Sequence, residues 1–123
     1  MAFGTFDLLH PGHINFLRQA KRRGNLIVVI ARDKTAKEVK GKLPRHDEKQ
    51  RLKAVKRLNL APRVVLGGKR DKYAVIKKYH PDIIALGYDQ LYFTEQLKNF
   101  NLKIIRLKAY KPNKYKTSIL KLK

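Results

Sequence analysis

The residue types best suited to chemistry lie close together near the start of the chain, between Gly4 and His13. Two imidazoles, His10 and His13, flank a Pro-Gly pair, and an amphipathic pattern predicts a helix that begins at Ile14. The N–H groups of a helix N-terminus attract anions, and imidazole N–H groups add further donors. Gly12 would let the backbone come close to a ligand. We therefore predict a phosphate-binding site in this turn.

The order of residues in this segment, Gly-Thr-Phe-Asp-x-x-His-x-Gly-His, resembles the signature of the cytidylyltransferase-like nucleotidyltransferases at every signature position. The resemblance implies an enzyme in which a phosphate monoester attacks the α-phosphate of a nucleoside triphosphate and displaces pyrophosphate. Because the attacking phosphate is already an anion near neutral pH, this reaction needs no general base. It needs positioned groups that stabilise negative charge, which agrees with the histidines and the many cations of this chain.

The resemblance also assigns roles to individual residues. Four residues are implied to contact the phosphates: His10, His13, Lys42 and Arg51. Lys40 is a second candidate for the role given to Lys42. Asp7 would bind a divalent metal ion, Mg²⁺, directly or through water. The nucleotide pocket is implied to comprise Thr5, Phe6, His10, Pro11, Gly12, His13, Asp89, Tyr115, Thr117 and Ser118.

Two later segments, residues 81–90 and 106–120, resemble the archaeal FAD synthases within this family. The resemblance implies that the acceptor is FMN and the nucleotide is ATP, so that AMP transfer would give FAD. A cytidylyltransferase that joins CTP to glycerol 3-phosphate, or to another phospho-alcohol, is the alternative within the same chemistry. In those enzymes a tryptophan typically follows acidic residues near position 88. This chain has no tryptophan, which disfavours the alternative. A third hypothesis is a non-catalytic module that binds nucleotides or RNA.

Simpler explanations stay open for several of these residues. Asp7 could only cap the turn, and Lys42 and Arg51 could be ordinary surface cations, because basic residues occur throughout the chain. His46 in a polar loop and His80 beside a proline are expected to be structural. The histidine pair of the signature does not suit zinc, since no further His or Cys lies near it in sequence. Neither member of the pair is on the apolar stripe of its helix, so replacing them is expected to change stability little.

The composition of the 123 residues predicts one domain, 1–123, without disulfides or a membrane span. There is no cysteine, and no apolar run approaches the ~18 residues that a span needs. We expect a cytoplasmic protein and, from the resemblance, a homodimer. The 30 Lys and Arg against 9 Asp and Glu give a net charge of +21, which attracts polyanions. Because these cations are spread along the chain, we predict neither a specific nucleic-acid partner nor a membrane partner.

Alternating strand and helix patterns predict an α/β fold with one doubly wound, Rossmann-like parallel sheet of about five strands and helices on both faces. The predicted strands are Met1–Phe3, Leu26–Ala31, Val64–Leu66, Ile83–Leu86 and Ile104–Leu107. The predicted helices are Ile14–Arg23, one that opens at Asp47, Asp71–Tyr79 and Thr94–Phe100. The polar, basic segment Lys34–Arg45 is predicted to be a mobile loop over the site. Since ligands bind at the carboxyl ends of parallel strands, the candidate residues should meet in one crevice.

Overall fold

A computed structural model of the chain describes residues 1–71, 73–86, 100 and 102–107, apart from the side chains of residues 39 and 40. The strands are β1 Ala2–Gly4, β2 Ile27–Ile30, β3 Arg63–Leu66, β4 Ile83–Leu86 and β5 Lys103–Arg106. They form one parallel sheet in the order β3-β2-β1-β4-β5. This arrangement confirms the predicted fold class, and every strand boundary lies within one residue of its predicted position.

Four helices occur in the described ranges: α1 Pro11–Lys21, α2 Asp33–Lys40, α3 Glu48–Arg57 and α4 Ala74–Tyr79. The capping box predicted before α3 is confirmed, because the Asp47 carboxylate accepts the Gln50 N–H at 2.8 Å and the Gln50 side chain accepts the Asp47 N–H at 3.0 Å. The prediction that Asp71 is the cap of α4 is wrong, because the helix begins at Ala74 with Tyr73 as its N-cap residue, and the Asp71 carboxylate accepts the Tyr73 N–H at 2.9 Å. The helix ends as predicted before Pro81, with His80 in the left-handed conformation.

Two further predictions about helices are wrong. Helix α1 begins at Pro11 and not at Ile14, because proline lacks an N–H and its fixed φ suits the first position of a helix. The segment predicted to be a mobile loop is instead helical as far as Lys40. In this helix, α2, Ala36 is buried at 2% exposure, and Gly41 ends the helix in the left-handed conformation with φ of 82°. Residues 41–47 are therefore the whole connection between α2 and α3.

The two faces of the sheet bury separate apolar clusters, because successive side chains of a strand point to opposite faces. Val28 of β2 faces a cluster that includes Leu17 of α1 and Val55 of α3. Its neighbour Val29 faces the other cluster, which includes Ile76 of α4. Helices thus cover both faces, as predicted.

The strand β1 is central, with β2 on one side and β4 on the other, so the strand order reverses beside it. The carboxyl end of β1 is therefore the expected position of a ligand crevice. The helix predicted over Thr94–Phe100 lies outside the described residues, except for Phe100. In the described part of the chain, no helix has the length and apolar character needed to cross a membrane.

Candidate phosphate-binding site

At the carboxyl ends of β1, β2 and β3, the hydrogen bonds between neighbouring segments continue one residue past the strands. The Ala31 N–H donates to the Gly4 carbonyl at 2.9 Å, and the Gly67 N–H donates to the Ile30 carbonyl at 2.9 Å. The segments that follow β1, β2 and β3 therefore start from one aligned edge. The segment after β1 is the signature segment, which leads into α1.

Phe6 anchors the turn that follows β1. Its side chain is 4% exposed, and its ring lies at 66° to the His13 ring with centroids 5.7 Å apart. The Phe6 ring also covers Gly4 so closely that a Cβ there would lie 2.6 Å from it. Phe6 and Leu8 adopt positive φ angles of 54° and 52°, which are costly for residues other than glycine. Phe6 therefore shapes this turn and supports a histidine with its buried ring, and its contact with the nucleotide stays a prediction.

His10 and His13 cap α1 reciprocally. His10 is the N-cap residue, and its Nδ1 accepts a hydrogen bond from the Gly12 N–H at 3.0 Å. The Nδ1 of His13 accepts in turn from the His10 N–H at 3.3 Å. The two rings stack with centroids 3.9 Å apart. Since both Nδ1 atoms accept, a neutral ring carries its proton on Nε2, and each imidazole is an Nε2–H donor.

The backbone of this turn has fewer N–H groups for an anion than the sequence predicts. Pro11 has none, the Gly12 N–H donates to His10, and the His13 N–H donates to the His10 carbonyl at 3.0 Å. Gly12 is also needed for a reason that the sequence did not show, because a Cβ there would lie 2.7 Å from Cε1 of His10. At the start of α1 the imidazoles are therefore more suitable donors for a phosphate than these backbone N–H groups.

Burial lowers the pKa of His10 below its ordinary value of 6.5. Folding thus favours the neutral ring, the form in which Nδ1 can accept the Gly12 N–H. The stability that results is fully present above pH 6.5 and is lost as the pH falls through the lower pKa of the folded protein.

We expect the free energy of unfolding to fall between about pH 7 and about pH 5, and to fall less in the variant His10→Asn. Asparagine keeps an acceptor at the N-cap and removes the titrating ring, so it isolates the contribution of His10. Urea unfolding of both proteins across this range measures the difference. An identical pH dependence in the two proteins would contradict the assignment.

The Asp7 carboxylate is hydrogen-bonded to residues 45 and 46. Its Oδ2 accepts the Arg45 N–H at 2.8 Å, its Oδ1 accepts the His46 N–H at 3.1 Å, and Nδ1 of His46 lies 3.2 Å from Oδ1. Burial by itself would raise the pKa of Asp7, but these hydrogen bonds outweigh it and hold the pKa below its ordinary 3.8. His46, expected from the sequence to be structural only, is therefore attached to the signature segment.

Among the described side chains, Asp7 is not part of a cluster that could hold a metal ion by itself. Both oxygens of Asp7 already accept N–H hydrogen bonds, and the described ranges contain no group of three or more His, Cys, Asp or Glu that could hold a metal ion. Mg²⁺ demands near-octahedral oxygen ligands and usually keeps several waters. The contacts of Asp7 thus give no support to its predicted role as a metal ligand.

The sequence predicts that Arg51 contacts phosphate, but the structure places its side chain in the interior. Its side chain is 1% exposed. Its Nε donates to the His46 carbonyl at 3.0 Å, its Nη1 to the Thr5 carbonyl at 2.8 Å, and its Nη2 to Oδ1 of Asp33 at 2.7 Å. A phosphate could reach the guanidinium only by displacing one of these protein partners, so the contact with phosphate stays a prediction. In this structure Arg51 joins the signature segment, α2 and the connection before α3.

A second ion pair, which the sequence analysis missed, joins the first turns of α2 and α3. Nη1 of Arg32 donates to Oε2 of Glu48 at 2.7 Å, and Nε of Arg32 donates to the Gly67 carbonyl at 2.7 Å. Oε1 of Glu48 accepts the Asp33 N–H at 3.1 Å. A glutamate in the first turn of a helix is already explained by its favourable interaction with the positive end of the helix dipole. The position of Glu48 in the sequence therefore did not indicate the ion pair.

The remaining predicted residues fall into two groups. Within the described ranges, Lys42 is exposed in the connection 41–47, Lys40 is the last residue of α2, and Pro11 is exposed at the first position of α1. Thr5 is buried at 9% exposure, and its carbonyl accepts from Arg51. The others lie outside the described residues: Asp89, Tyr115, Thr117 and Ser118.

Comparisons with known proteins match all or most of the chain. The family model for cytidylyltransferase-like proteins matches residues 1–123. The FAD synthase of Thermoplasma acidophilum is 41% identical over 130 aligned residues, which cover 100% of this chain and 91% of that protein. The FAD synthase of Methanohalophilus mahii is 45% identical over 114 residues, or 87% of this chain and 79% of that protein.

A solved structure is also similar to this chain. The crystal structure of the lipopolysaccharide core biosynthesis protein from Thermoplasma volcanium matches with a TM-score of 0.81 at 40% sequence identity. The match covers 89% of this chain and 95% of that chain. The single parallel sheet with its crossover helices is therefore shared over nearly the full length of both proteins.

Proposed function

The chain belongs to the cytidylyltransferase-like family, and we propose that it transfers AMP from ATP to FMN, giving FAD and pyrophosphate. The observation that carries this proposal is the identity of 41% and 45%, over most of the chain, to two proteins named FAD synthase. Neither name favours CTP and glycerol 3-phosphate as substrates. The third hypothesis, a non-catalytic binding module, is also disfavoured because both names are those of enzymes.

In the proposed reaction, an oxygen of the FMN phosphate attacks the α-phosphorus of ATP, and the bond from this phosphorus to the oxygen bridging to the β-phosphate breaks. Above its second pKa of about 6 the FMN phosphate is a dianion, so no side chain has to remove a proton. The Nε2–H groups of His10 and His13 donate to phosphate oxygens on which charge accumulates. Because the caps already fix both tautomers, these donors need no reorganisation during the reaction.

Lys42 binds the α- and β-phosphates in this proposal. It is exposed on the short connection after α2, and a lysine ammonium on its flexible stem suits a group that must follow the phosphates as they bind. Mg²⁺ arrives as part of the MgATP substrate, with phosphate oxygens and waters as ligands. The proposal keeps nucleotide contacts for four residues beyond the described ranges: Asp89, Tyr115, Thr117 and Ser118.

The assembly and location of the protein complete the proposal. The family resemblance supports a homodimer, and the lack of cysteine supports a cytoplasmic location. Light scattering of the purified protein measures its mass in solution, and a mass equal to one chain at working concentration would contradict the dimer.

We expect the purified protein to form FAD from FMN, ATP and Mg²⁺, and to form essentially no product from glycerol 3-phosphate and CTP. The flat flavin ring requires an apolar or aromatic surface, and the sequence places aromatic residues after the fourth and fifth strands: Tyr88, Tyr92, Phe93, Tyr110 and Tyr115. Chromatography of the products decides between the acceptors.

Two controls make this experiment specific to the protein. The variant His10→Asn, purified in the same way, shows whether a contaminating enzyme supplies the activity. CDP-glycerol as the main product, with no FAD, would contradict the flavin acceptor and leave nucleotidyl transfer in place. No product from any pair of substrates would contradict the enzyme assignment itself.

A further inference from the structure

We infer that Asp7 is a positioning residue: with Arg45 and His46 it forms a clasp that holds the connection 41–47, and through it Lys42, at the phosphate site. The clasp is the set of hydrogen bonds between the Asp7 carboxylate and the N–H groups of Arg45 and His46, with the His46 ring. The role of Lys42 rests on the proposed function, whereas the clasp itself rests on these contacts alone.

Residues 45 and 46 are held from two sides. Asp7 accepts both of their N–H groups, at 2.8 and 3.1 Å. Arg51 donates to the carbonyl of His46 at 3.0 Å and to the carbonyl of Thr5 at 2.8 Å. Asp7 belongs to the signature segment, and Arg51 is hydrogen-bonded to that segment through Thr5. The carboxyl-terminal part of the connection is therefore fixed to the turn that leads to the two imidazoles.

The other end of the connection is fixed as well. Gly41 has φ of 82°, and its N–H donates to the Lys37 carbonyl at 2.7 Å. Lys42 follows immediately, and only two residues separate it from Arg45. A chain this short between two fixed points has few conformations, so the backbone of Lys42 is restricted while its side chain stays exposed. Releasing the clasp would remove this restriction.

His46 adds a contact that depends on its side chain. The Nδ1 of the ring lies 3.2 Å from the same Asp7 oxygen that accepts the His46 N–H. The ring is about half exposed, so it closes the clasp from the solvent side. Substituting the ring alone should loosen the clasp less than substituting Asp7, because both backbone N–H groups would keep their acceptor.

The first test is hydrogen exchange of the peptide that contains residues 41–47, followed by mass spectrometry in the absence of substrates. We expect at least about a tenfold faster exchange of one of the Arg45 and His46 amides in Asp7→Asn, because the asparagine side chain has one acceptor oxygen for the two N–H groups and its NH₂ cannot accept the other. His46→Ala should give a smaller increase. Asp82→Asn removes the same charge from an exposed position at the amino end of β4 and should leave this peptide unchanged. Unchanged exchange in Asp7→Asn would overturn the clasp.

The second test is a double-mutant cycle on the rate of FAD formation. We expect Asp7→Asn to lower kcat by about 10- to 100-fold in the otherwise unmodified protein, and by no more than about threefold in the Lys42→Met background. Equal factors in both backgrounds, or normal turnover of Lys42→Met alone, would overturn the positioning role. If the unmodified protein forms no FAD, the proposed function fails, and the exchange result alone upholds or overturns the clasp.

Discussion

Replacement of His10 or His13 by alanine is expected to lower kcat by a factor of about 10² to 10⁴, equivalent to about 3–5 kcal/mol of transition-state stabilisation. Each ring has its Nδ1 committed to a backbone N–H, so that Nε2–H is the donor it has for a phosphate. Donors fixed before the reaction stabilise developing charge without reorganisation, which is why one such donor is worth so much. Steady-state rates of FAD formation measure the effect.

Measurements of stability distinguish the two functions of His10, which are the capping of α1 and the donation of a hydrogen bond to phosphate. Alanine at this position also removes the N-cap, which costs about 0.5–2 kcal/mol, whereas asparagine is a favourable N-cap residue. We therefore expect His10→Ala and His10→Asn to lose similar amounts of kcat, with only the alanine variant clearly less stable. This differs from the expectation from sequence, in which replacing His10 or His13 changes stability little. Near-normal turnover of His10→Asn would contradict the catalytic role of the ring.

The strands were predictable because burial on both faces requires an unbroken apolar run. Ile27–Ile30 and Ile83–Leu86 carry such runs, and both were predicted to within one residue. Helix α2 was not predictable in the same way, since Ala36 is its one buried residue among the side chains described and gives no periodic stripe. Proline at the first helical position likewise shifted the start of α1 by three residues.

The candidate site was predictable where its residues are close in sequence. The spacing of His10 and His13 identified the turn, but it could not show that their Nδ1 atoms cap the helix. The contact of Asp7 with residue 45 spans 38 positions, so no local sequence pattern indicates it. Arg51 did carry a signal, because it shares the inward stripe of α3 with Val55, four residues on. Its charge suggested exposure, and the ion pair with protein partners explains why it is buried instead.

The acidic residues near the crevice also take on a common role. In the described part of the chain, four of them have their charge engaged by the protein itself: Asp7 by two backbone N–H groups, Asp33 by Arg51, Asp47 by the Gln50 N–H and Glu48 by Arg32. Carboxylates that are hydrogen-bonded in this way repel a phosphate less than free ones would. The surrounding excess of cations, which gives the chain its net charge of +21, then favours binding of anionic substrates.

Replacement of Arg51 by methionine is expected to lower the free energy of unfolding by about 2–5 kcal/mol. The carbonyls of Thr5 and His46 would both lose their donor; the hydrogen bond to Thr5 is buried and the one to His46 is part-buried, and a buried carbonyl left without a donor costs about 1–3 kcal/mol. The Asp33 side chain is 32% exposed and would regain contact with water, so it contributes less. Arg51→Lys should recover only part of the loss, because one ammonium cannot reach three acceptors placed around a planar guanidinium. Urea denaturation measures these differences.

Lys53→Met is the matched control, because Lys53 is exposed on the same helix and its replacement should change stability by less than about 0.5 kcal/mol. The two accounts of Arg51 then give opposite results. A phosphate ligand would leave unfolding unchanged and raise the KM for ATP, whereas a structural residue lowers stability and affects turnover only through the loosened crevice. Wild-type stability together with a large rise in KM would overturn the structural assignment, and it would mean that Arg51 leaves its protein partners when the triphosphate binds.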